Sequence, residues 1–115
     1  MKITRLTLFL KRKQKKMDKR TQAKRSYMEA HPLSELSGKP ANDPHHCIVY
    51  DMKRYPELTC PENLVALTRE EHKEAHAKGY EGKQFFWEMK CKEYGEDHMK
   101  EWYNNLPLVN KERFW

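Results

Sequence analysis

Five prolines and Gly38 fall between Pro32 and Pro61, and this punctuation limits the fold more than any other feature of the chain. Proline has no backbone N–H and disfavours helical geometry in the residue before it, so no helix runs through such a stretch. Short extended pieces and turns remain. Gly38, Pro40 and "NDP" at 42–44 read as a turn-rich segment, "HHCIVYDM" as a strand of β-formers, "KRYPELTCPE" as a polar loop and "NLVAL" as a second short strand.

On either side the punctuation stops. From Lys11 to Ala30 there is no Gly or Pro and helix formers dominate. The first turns of such a helix carry no apolar stripe, so the later ones, around Tyr27 and Met28, have to supply its packing. After the second strand, Thr68 followed by Glu71 forms a capping box and predicts a helix over 69–78 that stops at Gly79. Residues 84–104 read as helical again with a break at Gly95. Phe86, Met89, Met99, Trp102 and Leu106 recur there at steps of three and four, which marks a core face. The elements add up to an α+β fold.

With 115 residues, 37% hydrophobic and 35% charged, the chain holds one small core and long solvated faces. A metal, a partner or a helix bundle is expected to staple it. Cys47, Cys60 and Cys91 are odd in number and widely spaced, against both a disulfide framework and a cysteine zinc knuckle, and fit a reducing cytoplasm. "ITRLTLFL" is apolar for too short a run to cross a membrane, and the positive charge follows it instead of preceding it, unlike a signal peptide. Residues 1–25 carry eleven Lys/Arg against Asp18, which leaves residues 26–115 at a net charge of −4. The basicity therefore belongs to the N-terminal arm, a pattern that suits either solubilisation or contact with a polyanion.

Four of the six histidines fall in two tight pairs, His45–His46 and His72 with His76. On a helix, positions i and i+4 are neighbours, so His72 and His76 can reach one ion. Adjacent strand residues alternate faces, so His45 and His46 cannot both address that ion in the same way. One suits ligation and the other proton transfer, both ordinary work for a neutral imidazole.

Taken together, "HHCIV", "PENLVAL" and "EHKEAH" resemble the HNH endonuclease motif of the ββα-metal (His-Me finger) fold, in its small phage-type form. The resemblance covers about residues 26–78, with 1–25 as a basic arm and 79–115 as a C-terminal helical extension. It implies His45, His72 and the less general His76 as metal ligands, His46 as general base, and Asn63 as the residue that orients the base. It departs from the pattern at Ser34, Ser37, Thr68 and Glu71, where many members place four zinc-knuckle cysteines, and so implies no structural zinc. The cofactor implied is one divalent ion, with Zn, Ni, Mn, Co and Mg all open: imidazole ligands favour the transition ions, while the family often works with magnesium.

The activity implied is hydrolysis of DNA phosphodiester bonds, leaving 5′-phosphate and 3′-hydroxyl ends. Double-stranded DNA with little sequence specificity is the expected partner, with phage proteins as further partners. Lys11, Arg12, Lys13, Lys15, Lys16, Lys19 and Arg20 on the arm, and Arg69 and Lys73 near the site, are the expected phosphate contacts. The competing reading is a non-catalytic, metal-stapled nucleic-acid-binding module, for example within a phage packaging or recombination assembly.

Overall fold

A computed structural model describes residues 18–50, 55–107 and 111–115. Helix α1 (Lys19–Ala30) starts at Asp18, whose carboxylate accepts the Thr21 amide at 2.8 Å and so satisfies one of the N–H groups a helix start leaves open. As the polar early turns suggest, α1 is anchored late: Tyr27 is buried and Met28 packs beside it. Residues 11–17 of the expected helix lie outside the described residues.

Strand β1 (Asp43–His46) pairs antiparallel with β2 (Leu64–Leu67), Asp43 opposite Leu67 and His46 opposite Leu64. This corrects the expected first strand, which starts two residues earlier than "HHCIVYDM" and ends at its second histidine. The reason lies in Asn63. Its Oδ1 accepts the amides of Ile48 and Val49, both at 2.9 Å, and chain that gives its amides to a side chain has none left for a ladder. Two short 3-10 turns, Pro56–Leu58 and Pro61–Asn63, each begin with proline, whose missing N–H is not needed there.

Helix α2 (Arg69–Lys78) carries the expected capping box: Thr68 Oγ1 accepts the Glu71 amide at 3.2 Å, and Glu71 Oε1 accepts the Thr68 amide at 2.8 Å. Gly79 (φ +56°) ends α2 and lets α3 (Tyr80–Tyr94) start at once, four residues ahead of the sequence reading. Gly95 (φ +97°) makes the anticipated break before α4 (Glu96–Asn104). Both glycines sit at left-handed angles that side chains disfavour.

The four buried residues of β2 divide by alternation. Val65 and Leu67 join the larger core with Ile48, Leu58, Phe86, Trp87, Met99, Tyr103, Leu106 and Phe114, whereas Leu64 and Ala66 pack with Tyr27. The hairpin thus has α1 on one face and the later helices on the other. Lys90 of α3, fully buried, ties the two sides together by donating to the Tyr27 hydroxyl at 3.1 Å and to the Pro61 carbonyl at 2.8 Å. Cys47, Cys60 and Cys91 are free. Among the described residues no helix is long and apolar enough to cross a membrane.

Helices α2 and α3 approach closely at Gly82, where an added Cβ would lie 2.9 Å from the Ala75 carbonyl oxygen. Alanine is the better helix former by about 1 kcal/mol, yet backbone cannot yield as a side-chain tip can. Gly82→Ala is therefore expected to lower stability by on the order of 1–3 kcal/mol, the usual range for overpacking, read as a lower urea midpoint. An unchanged or raised midpoint would show that the two helices can part freely.

Candidate active site

Strand register decides where the histidines point. His45 stands opposite Val65 and His46 opposite Leu64, and directly opposed residues share a face. His45 therefore turns toward α2 and α3, and His46 toward α1. On α2, His72 and His76 lie one turn apart and meet His45. The ring centroids are 4.8 Å apart for His45–His72, 4.9 Å for His45–His76 and 4.9 Å for His72–His76. One nitrogen from each ring falls within 4.8 Å of the other two.

His45 is buried, and among the described residues neither Nδ1 nor Nε2 has a hydrogen-bond partner. Burial, then the neighbouring His72, His76 and His46, press its pKa down to about 3, so it is a neutral ring with a free lone pair. The Nε2 atoms of His72 and His76 face each other at 3.1 Å, and the other nitrogen of His72 contacts Asp43 Oδ2 at 3.2 Å. A carboxylate behind a ring in this way fixes the tautomer and leaves the far nitrogen to ligate, the usual support for a metal-bound histidine. Three imidazole nitrogens converge here, one of them on the buried His45, and such a donor set fits a divalent transition ion.

Asp43 was not among the residues singled out by sequence. The available signal was its place two residues before His45, on the same face of the strand. Asp43 also lies 3.9 Å from Arg69 Nε, and the Arg69 amide donates to Asn42 Oδ1 at 3.1 Å. Arg69 thus borders the cluster through an acid, with an exposed guanidinium.

His46 faces a cleft of about 260 Å³ lined by Lys24, Pro44, Tyr50, His72 and His76 as well. Burial, followed by the charges of Lys24, His72 and Arg20, lowers its pKa to about 4. Its ring is held through Nε2, 3.0 Å from the Thr59 hydroxyl. Asn63, expected to orient the base, is committed elsewhere. Besides the two amides it accepts, its Nδ2 donates to the Val49 and Leu58 carbonyls, both at 2.9 Å. Those four bonds exhaust a carboxamide. Asn63 holds the loop that follows His46, and Thr59 holds the ring.

The structure brings His45, His46, His72 and His76 together and places Arg20 where its charge acts on His46. Lys19 is exposed at the start of α1 and Lys73 is exposed on α2. Lys11, Arg12, Lys13, Lys15 and Lys16 lie outside the described residues. Thr59, Lys24 and Tyr50 are site residues that no local pattern marks, because only the folded loop and the docking of α1 bring them to the histidines.

Ser34, Ser37, Thr68 and Glu71 also meet. Ser34 Oγ donates to Glu71 Oε1 at 2.6 Å and accepts the Leu36 and Ser37 amides at 3.1 and 3.2 Å. Burial would raise the Glu71 pKa, but hydrogen bonds from Ser34, the Thr68 amide and Ser37 outweigh it and hold the carboxyl at about 2.

Two expected outcomes follow from this geometry. Above about pH 6.5 His45 and His46 are neutral whether folded or unfolded. As pH falls below that value the unfolded chain takes up protons that the folded chain refuses until about pH 4 and pH 3, so folding is progressively disfavoured. With chelator present, the urea midpoint should fall between pH 7 and pH 5, before Glu71 titrates; a flat profile would mean the two rings are not held neutral. Asn63→Ala leaves buried amides and carbonyls unpaired at about 1–3 kcal/mol each, so it should cost several kcal/mol of stability. A fully stable Asn63→Ala protein with a shifted His46 titration would instead return Asn63 to the orienting role.

Compared with known protein families, curated proteins and solved structures, the chain matches none.

Proposed function

We propose that this chain is a metal-dependent endonuclease of the HNH type, its hairpin and α2 forming a ββα-metal core. The reading is carried by one observation: His45, His72 and His76 converge beside the cleft that His46 lines. His45, His72 and His76 would hold one divalent ion, which when bound supplies positive charge against the scissile phosphate and the leaving 3′ oxygen.

The other half of the chemistry belongs to His46. Lys24 and Arg20 favour its neutral form, so near pH 7 it is ready to accept a proton. With Nε2–H donating to Thr59 Oγ1, the accepting lone pair lies on Nδ1. That nitrogen takes a proton from the water that attacks phosphorus in line and becomes imidazolium; as the P–O bond breaks the 3′ oxygen takes a proton from solvent water to leave as the hydroxyl, and the imidazolium returns its proton to the hydroxide left in solvent. Thr59 keeps the ring from turning during the transfer. The Asp43 carboxylate orients His72 and makes its far nitrogen a stronger donor. Three protein ligands, in place of the four of closed structural sites, favour an open catalytic centre over a staple.

Plasmid cleavage with added Mg, Mn, Ni, Co or Zn, with and without chelator, tests the reading. Wild type is expected to nick or linearise DNA in a chelator-sensitive way. His46→Ala should lose about two to four orders of magnitude in rate, the range for a general base, while calorimetry shows its metal affinity kept. His72→Ala should lose metal affinity itself. Wild type that binds metal and DNA yet cuts with no ion would make the chain a binding module.

A further inference from the structure

Two groups in the cleft neither give nor take the transferred proton. Lys24 stands on α1 one turn after Arg20, and among the described residues it pairs with no carboxylate. Its position is fixed three residues later by Tyr27, which donates to Glu35 Oε2 at 2.7 Å and accepts from the buried Lys90. Lys24 is thus a cation held over the cleft by a rigid helix.

Tyr50 is the second. Its hydroxyl is buried and makes no hydrogen bond among the described residues. An unpaired buried hydroxyl costs about 1–3 kcal/mol, and such groups in native proteins call for a partner. The Tyr50 ring is held between His76, at 5.0 Å between centroids, and the Lys83 ammonium, 4.3 Å from its centroid. A cation and a hydroxyl donor line the same cleft as His46, and no carboxylate is among its lining residues; together they match a phosphoryl group: oxygens with negative charge that only accept.

We propose that Lys24 and Tyr50 form a phosphate clamp that seats a phosphodiester of nucleic acid against His46, Lys24 by charge and Tyr50 by hydrogen bonding to a non-bridging oxygen. The choice of a nucleic-acid phosphodiester rests on the nuclease reading; the anion site itself does not. Both are binding and positioning residues whose loss weakens the anion and leaves the metal in place.

The test uses the full chain with chelator present. Inorganic phosphate is titrated while the Tyr50 ring and Lys24 side-chain resonances are followed by NMR, and a short fluorescein-labelled DNA duplex is titrated by anisotropy over a range of salt. Phosphate is expected to move both sets of resonances, and DNA to displace it. Lys24→Gln and Tyr50→Phe, which keep the aliphatic stem and the ring, should each weaken phosphate by about tenfold, as for a hydrogen bond to a charged group. Lys24→Gln should also reduce the salt slope of DNA binding by about one, and Tyr50→Phe should leave it unchanged. Lys92→Ala, exposed on α3, serves as the control and should bind as wild type does.

The proposal is overturned if phosphate leaves Tyr50 and Lys24 unmoved, if both variants bind phosphate as wild type does, or if DNA fails to displace phosphate. If phosphate and DNA bind as expected but no divalent ion makes wild type cut, the clamp stands and the nuclease reading falls.

Discussion

A buried histidine, His45, has neither ring nitrogen paired among the described residues, and the elements that position the site close around it. Hydrophobic burial alone does not explain such a residue, because a leucine there would pack without leaving two polar atoms dry. His45 is instead enclosed by polar rings on one side and by Phe86, 5.6 Å away between centroids, on the other. Phe86 belongs to α3, whose start is fixed by Gly79, and His72 and His76 belong to α2, whose start is fixed by the Thr68–Glu71 box. The element boundaries therefore set which groups reach the buried ring. On the proposed reading the same enclosure explains why the ring stays neutral and available to a metal.

The one-residue step from His45 to His46 then separates two kinds of chemistry without any loop or insertion. Strand alternation sends His45 to the α2–α3 side and His46 to the α1 side, so each meets a different electrostatic environment. On one side the His72 and His76 rings close around His45, with the Asp43 carboxylate behind His72. On the other lie the cations Lys24 and Arg20. A register slip of a single residue would exchange the two environments. Ile48 and Val49 are kept from continuing the ladder by the Asn63 side chain, which protects that register where a longer hairpin could slide.

Much of this was legible in the sequence. The capping box, both glycine breaks and the late anchoring of α1 depend on neighbours within one or two turns, and local pattern reads such signals well. Phe86, Met99 and Leu106 are buried, with Met89 and Trp102 leaning on them, because a helical period states which face is apolar. The length of β1 was not legible, since "CIVY" has the composition of a strand and only a side chain fourteen or fifteen residues away turns it aside. The supporting residues of the site were hidden for the same reason. Thr59 reaches His46 across thirteen residues and Asp43 reaches His72 across twenty-nine. Asn63 shows how far a motif position and its work can part: the residue stands where the resemblance puts it, and its hydrogen bonds go to the loop.

The same distinction bears on Ser34, Ser37, Thr68 and Glu71. A zinc knuckle joins two chain segments by four bonds to one ion, and its stabilisation falls away when the ion does. Here the two segments are joined by Glu71, whose one carboxylate oxygen accepts both the Ser34 hydroxyl and the Thr68 amide, while Ser34 gathers the amides of its own turn. The residue that caps α2 is therefore also the residue that fastens the 34–37 turn to it. Because α2 carries His72 and His76, the position of the turn and the position of the two histidines are set by one carboxylate. The start of that helix cannot shift without breaking the joint, which gives the histidine cluster a fixed support built from ordinary hydrogen bonds.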